Sequence, residues 1–322
     1  MPYQHIEEPV LHQCIEAHYT GHGNTAIIQP IATGKHNNSY FVDCNGKALV
    51  LRIEPPENVG MIWYEVKMMS QEPSIHELLL QRTGIPVPRI LVYDNSHQMV
   101  DTDYLIMERM PGDPASDASF LKHQTWQNVL FRIGECLREA HAIHGTQYGY
   151  DGPHRPMTPQ NSWADAFAVM WGKLVTQVRD VGGYSHDECA YMLGLYTKFA
   201  AVFDRSVPAS LLHMDVWAQN ILVTPEGKLG GLIDWDRALY GDPEIEFAVL
   251  DYCGISEPAF WEGYGMERDD SEEAEIRRVF YLLYEVQKYI IIRLTRRQNP
   301  AQAEAYKSQS LQMARSAFGA TL

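Results

Sequence analysis

Two short clusters carry residue types at a spacing that suits phosphoryl transfer: His213-Met214-Asp215-Val216-Trp217-Ala218-Gln219-Asn220 and Ile233-Asp234-Trp235-Asp236. Moving a phosphoryl group asks little covalent work of a protein. It needs a carboxylate to orient the attacking hydroxyl and accept its proton, and oxygen ligands for Mg²⁺ on the nucleotide phosphates. Asp215 suits the first task. Asn220, whose amide oxygen can ligate a hard cation, follows it in the H-x-D-x-x-x-x-N spacing of a kinase catalytic loop. Between the clusters, Ile221-Leu222-Val223 and Leu229-Gly230-Gly231-Leu232-Ile233 flank Thr224-Pro225-Glu226-Gly227-Lys228, two apolar runs around a Pro/Gly turn. A hairpin there returns Asp234 to the side of Asn220, as a shared metal requires. Taken singly, these acids read as ordinary loop residues and His213 as a structural histidine; the hairpin and the order of the clusters argue otherwise.

The elements that must position these residues change character along the chain. The spacing predicts a helix over 10–17 ended by Gly21-His22-Gly23-Asn24, then strands over 26–31, 39–44 and 47–53, the last two joined by the hairpin dipeptide Asn45-Gly46. Residues 64–83 have a helical pattern, and Tyr104-Leu105-Ile106-Met107-Glu108 forms an apolar strand ended by Pro111-Gly112. Beyond it, helical apolar spacing runs over 121–144, 162–180, 185–204 and 279–294. An α+β fold follows, with a small β-rich N-terminal lobe over 1–112 and a larger, mainly helical lobe over 113–322.

Composition narrows the partners. The net charge is -15 and no Lys/Arg cluster occurs, which disfavours nucleic acid. No stretch approaches the roughly 18 consecutive apolar residues of a membrane helix, and residues 1–8 have no leader-like character, so a cytoplasmic protein with no membrane partner is expected. Five scattered cysteines with no C-x-x-C pair suit a reducing compartment. His141 and His144 stand at i, i+3 with no third ligand in view, so both read as structural.

The clusters, with the later Gly241-Asp242-Pro243 and Phe247-Ala248, resemble the aminoglycoside phosphotransferase and choline kinase-like family, small-molecule kinases with a protein-kinase-like two-lobed fold. Glu246 stands where that family usually has Asp, keeping the acid with a longer reach. The resemblance implies Asp215 as the catalytic base, Asn220 and Asp234 as Mg²⁺ ligands, and ATP or GTP as co-substrate. Gly34-x-x-Asn37-x-x-Tyr40-x-Val42 is similar to the family's phosphate-covering turn, so Gly34 and Asn37 are implied nucleotide contacts. Arg52 resembles the V-L-R form of the phosphate-gripping position, where protein kinases use Lys. Its helix partner is implied to be Glu72, with Pro73 in the first helical turn and Glu65 as rival. A hinge near 107–112 places backbone groups of Glu108 and Met110 at the adenine edge.

The acceptor is implied to be a small molecule with a hydroxyl, possession of an antibiotic-type or a metabolic acceptor being left open: an aminoglycoside, or an amino alcohol, sugar or amino acid in the manner of choline, homoserine or fructosamine kinases. Asp236 is a candidate acceptor contact, and so are Glu262, Asp269 and Asp270, since family members that act on amino sugars use acids from the region beyond Pro258. Most of the acids between Glu262 and Glu275 read more simply as a solvated loop and helix start. A nucleotide-binding interaction module without activity has no need of Asp215, Asn220 and Asp234. A protein kinase would need an activation loop where the chain runs directly from Asp234 to Gly241-Asp242-Pro243. A monomer or homodimer is expected.

Overall fold

A computed structural model describes residues 6–19, 26–31, 37–56, 60–119 and 121–319. The N-terminal lobe contains α1 (Glu8–Glu16), β1 (Ile27–Pro30), β2 (Asn38–Cys44), β3 (Lys47–Ile53), α2 (Glu72–Arg82), β4 (Ile90–Asp94) and β5 (Tyr104–Glu108). Its sheet is antiparallel throughout, in the order β1-β2-β3-β5-β4. Asn45 and Gly46 both take positive φ (52° and 75°), the geometry of a two-residue turn, and this sets the register Cys44↔Lys47. Leu49, Leu51, Tyr104 and Ile106 from the sheet then meet Leu11, Cys14 and Ile15 of α1 in one apolar cluster.

The expected helix over 64–83 forms only from Glu72. Lys67 is left-handed (φ 55°), a 3-10 turn spans Met68–Gln71, and Pro73 sits in the first turn of α2, where its missing N–H costs no hydrogen bond. This delayed start puts Glu72 at the very beginning of the helix, buried beneath β3.

The second lobe comprises β6 (Asp113–Pro114), α3 (His123–His141), α4 (Trp163–Asp180), α5 (His186–Phe199), β7 (Ser210–Leu212), β8 (Ile221–Val223), β9 (Leu229–Leu232), β10 (Leu239–Gly241), α6 (Pro243–Tyr252), α7 (Pro258–Tyr264), α8 (Glu272–Thr295) and α9 (Pro300–Phe318). Helices α4 and α5 start where Ser162 and Ser185 cap them, the latter through a reciprocal capping box with Glu188. Trp163, Phe167 and Trp171 of α4 and Phe280, Tyr281 and Tyr284 of α8 fill the main core. A second core beneath β8 and β9 joins α3 and α7. Among the described residues no helix is long and apolar enough to cross a membrane.

Candidate active site

Asp215 stands in the bend between β7 and β8. The preceding residue, Met214, is buried and left-handed (φ 67°), a conformation costly for a non-glycine residue unless its surroundings enforce it. Glu246 of α6 enforces it. Its carboxylate accepts the Met214 amide at 2.6 Å and the His213 amide at 3.1 Å, and meets His141 Nε2 at 2.8 Å. Burial alone would push the Glu246 carboxyl up; the His141 bond and charge, His213 and the Met214 amide outweigh it and hold it below the ordinary carboxylate value. The longer reach of Glu at this position thus lets one buried anion hold two consecutive amides of the loop.

His213 ties this bend to the strand end that carries Asp234. Its Nδ1 accepts the Asp215 amide at 3.2 Å and its Nε2 donates to the Ile233 carbonyl at 3.0 Å, with the ring 4.3 Å from that of Trp235. One neutral tautomer satisfies both bonds, and burial lowers the affinity of the ring for a second proton, against the pull of Glu246. Asn220 Nδ2 donates to the Asp215 carbonyl and to Asp215 Oδ2, both at 2.9 Å, leaving Oδ1 as the atom able to ligate a cation.

Asp234 ends the hairpin in the left-handed region (φ 71°), directly before a 3-10 turn over Trp235–Arg237. Arg52 of β3 reaches it from the other lobe. The guanidinium donates to Glu72 at 2.8 and 3.1 Å, to Asp234 at 2.8 Å and to Asp236 at 3.2 Å. Arg52 therefore pairs with Glu72. Its rival Glu65 is engaged by the Ile62 amide at 2.6 Å and by Arg296. One cation facing three carboxylates leaves negative charge in excess. Burial, aided by the neighbouring acids and opposed by Arg52, raises both Asp234 and Asp236 above the usual carboxyl range. Hard oxygen donors with surplus negative charge are the chemistry that Mg²⁺ satisfies. Among the described residues no group of three His, Cys, Asp or Glu side chains could hold a metal.

Arg52, Asp215, Asn220, Asp234 and Asp236 line one cavity of about 780 Å³ between the lobes. Phe41, Val50, Pro88, Met107, Leu222 and Ile233 give it an apolar lining beside Glu108 and Met110, with the Arg109 guanidinium 3.9 Å from the centre of the Phe41 ring. Such a lining suits a planar base. Gly112 (φ 99°) lets the connection run against β8: a Cβ there would lie 2.6 Å from the Val223 backbone.

Asn37 lies in the cavity, its amide 3.4 Å from Asp236 Oδ2 and its Oδ1 buried without a partner. Gly34 lies outside the described residues. Asp236 lines the cavity, whereas Glu262, Asp269 and Asp270 do not: all three are exposed, and Asp269 caps the Ser271 amide at 2.9 Å at the start of α8. Local helix-start chemistry accounts for that position.

Several residues of the site escaped the motif reading. Arg237 donates to Asp215 Oδ1 and to Glu285 of α8, both at 3.1 Å, and Lys288 contacts Glu285 at 2.5 Å. Burial tends to raise the Asp215 carboxyl, but Arg237, Lys288 and His213 outweigh it and keep it low. Gln71 donates to the carbonyls of Asp236 and Ala238, joining the two lobes behind the acids. Arg237 could have been noticed, because it directly follows the I-D-W-D cluster. Lys288, Arg293 and Arg296 fall on one helical face, a stripe legible in sequence but without a stated destination.

The family described as "Phosphotransferase enzyme family" (APH) matches residues 27–279. The chain is 25% identical over 218 residues to "Probable ketoamine kinase slr1563" of Synechocystis sp., covering 65% of this chain and 68% of that protein. It is 22% identical over 251 residues to acyl-CoA dehydrogenase family member 11 of Rattus norvegicus, covering 76% of this chain but only 30% of that protein's length. In structure it superimposes, with a TM-score of 0.66 and 17% identity, on a thermostable mutant of aminoglycoside phosphotransferase APH(4)-Ia in ternary complex with AMP-PNP and hygromycin B, over 94% of this chain and 98% of that one.

Proposed function

This chain belongs to the phosphotransferase enzyme (APH) family, and from that premise we propose that it is a small-molecule kinase that moves the γ-phosphate of ATP, with Mg²⁺, to a hydroxyl of a small acceptor. One observation carries the reading. Asp215, Asn220 and Asp234 line the same cavity as Glu108, Met110 and the apolar side chains of Phe41, Val50 and Met107. Asp215, kept ionised by Arg237 and Lys288, orients the acceptor hydroxyl and takes its proton. Asn220 Oδ1 and Asp234 would hold Mg²⁺, which when bound would neutralise phosphate charge. Arg52, fixed by Glu72, presents its fork to the phosphates from the opposite lobe, while Asn37 donates from above. Five free cysteines, four of them buried and Cys253 half-buried, support a cytoplasmic site of action.

The relatives' names, a ketoamine kinase and an aminoglycoside phosphotransferase, support a polyhydroxylated acceptor. The test is acceptor-dependent ADP formation across aminoglycosides, choline, sugars, amino acids and hydroxy acids, with and without Mg²⁺. Mg²⁺-dependent turnover of at least one class is expected. No turnover, together with no Mg²⁺-dependent ATP binding, overturns the reading.

A further inference from the structure

The cavity extends past Asp215 to α8, and there its wall changes sign. Lys288, Arg293, Arg296 and Arg297 line this end together with Arg237. Three carboxylates answer these five cations. Asp215 and Glu285 take Arg237, Glu285 also takes Lys288, and Glu65 takes Arg296. Arg293 and Arg297 have no carboxylate within ion-pair distance among the described residues. Arg293 Nε is moreover buried without a hydrogen-bond acceptor, its guanidinium 5.8 Å from the Tyr306 ring centre. A buried guanidinium N–H with no acceptor is costly and rare, and it invites an acceptor from outside the chain.

We propose that the acceptor carries an anionic group, a carboxylate or a phosphate, that docks on Arg293 and Arg297 while its hydroxyl meets Asp215. This rests on the kinase reading above and narrows its substrate class. Three observations favour it over a cationic acceptor. An ammonium at this end would face cations in excess of acids. The acids from Glu262 to Asp270 that could have welcomed it stand outside the cavity. The chain as a whole carries 41 acidic against 26 basic residues, so a basic wall is not a by-product of composition. Cations at a helix C-terminus also suit the helix dipole, which explains an exposed Arg297 but neither the buried, unpaired Arg293 Nε nor Lys288 and Arg237.

The test fills the nucleotide site first. With Mg²⁺ and AMP-PNP saturating, glycerate, glycerol 3-phosphate, glycerol and choline are titrated calorimetrically into the wild type and into Arg293→Gln, Arg297→Gln and Arg293→Lys. The two anions are expected to bind, glycerol and choline not; whichever of the carboxylate and the phosphate binds more tightly identifies the group. Each Gln substitution should weaken anion binding about tenfold or more, with Arg293→Lys retaining part of it and AMP-PNP affinity unchanged. Arg297 is exposed, so its variant folds even if Arg293→Gln does not. Binding of choline or glycerol as tight as that of the anions, no anion binding to the wild type, or anion binding indifferent to both Gln variants overturns the proposal. AMP-PNP binding that ignores Mg²⁺ would instead strike at the kinase reading.

Discussion

The two ends of the interlobe cavity are opposites. Around Arg52, three carboxylates crowd one cation, and burial, aided by the neighbouring acids and opposed by Arg52, pushes Asp234 and Asp236 up. At the end reached by α8, five cations meet three carboxylates, and Asp215, at the boundary, is pulled down chiefly by Arg237 against its burial. The same residue type therefore stands in opposite surroundings at Asp215 and Asp234. An acid in surplus negative charge suits holding a cation, and an acid beside guanidinium stays charged to receive a proton. The acids of this site are sorted by what surrounds them.

Asp215→Asn breaks the boundary between the two ends. Turnover should fall about a thousandfold while ATP affinity stays within about twofold, since the carboxylate acts on the acceptor hydroxyl. Steady-state kinetics and nucleotide titration measure both, and near-normal turnover would refute the assignment. Asp234→Ala attacks the acidic end. Mg²⁺-dependent ATP affinity should drop about a hundredfold, read by calorimetry with and without the metal. A variant that kept the whole Mg²⁺ effect would place the ligand elsewhere.

Glu246→Gln leaves both ends in place and loosens the bend between them. An amide presents donors to donors, so turnover should fall about tenfold with the Michaelis constant for ATP nearly constant, and stability should fall by about 2 kcal/mol. Because the folded carboxyl lies below its ordinary value of 4.5, its contribution is complete above pH 4.5 and disappears as pH falls through the lower folded value. Wild type and variant should thus converge in melting temperature on acidification below that point. Parallel curves would show that Glu246 is not ionised in the fold.

The smallest effect is expected from Glu262→Gln, Asp269→Asn and Asp270→Asn combined. These exposed acids stand outside the cavity, so the Michaelis constants for acceptor and ATP should each shift by less than about twofold. A large rise for the acceptor alone would return this stretch to the site.

What the sequence determined by itself is local. Asn45-Gly46 specifies its turn through backbone geometry, Ser162 and Ser185 specify helix starts, and the catalytic loop, hairpin and I-D-W-D cluster lie within 24 residues of one another, 213 to 236, so their convergence follows from a single turn. The two-lobed α+β architecture followed from the change of hydrophobic period along the chain and from the resemblance that the motifs carry. Only tertiary structure decided the partners of these residues. Which glutamate meets Arg52 depended on where Lys67 and Pro73 let α2 begin, and Glu65, equally acidic, turned instead to Ile62 and Arg296. The acidic run leading into α8, most of which the sequence reads as a solvated loop and helix start, faces solvent, while the basic stripe at the C-terminal end of α8 reached the cavity some seventy residues downstream of Asp215. Charge is written in the sequence, but the direction in which a long helix turns it is set by which face its aromatic residues bury, and Phe280, Tyr281 and Tyr284 settle that only by packing against α4.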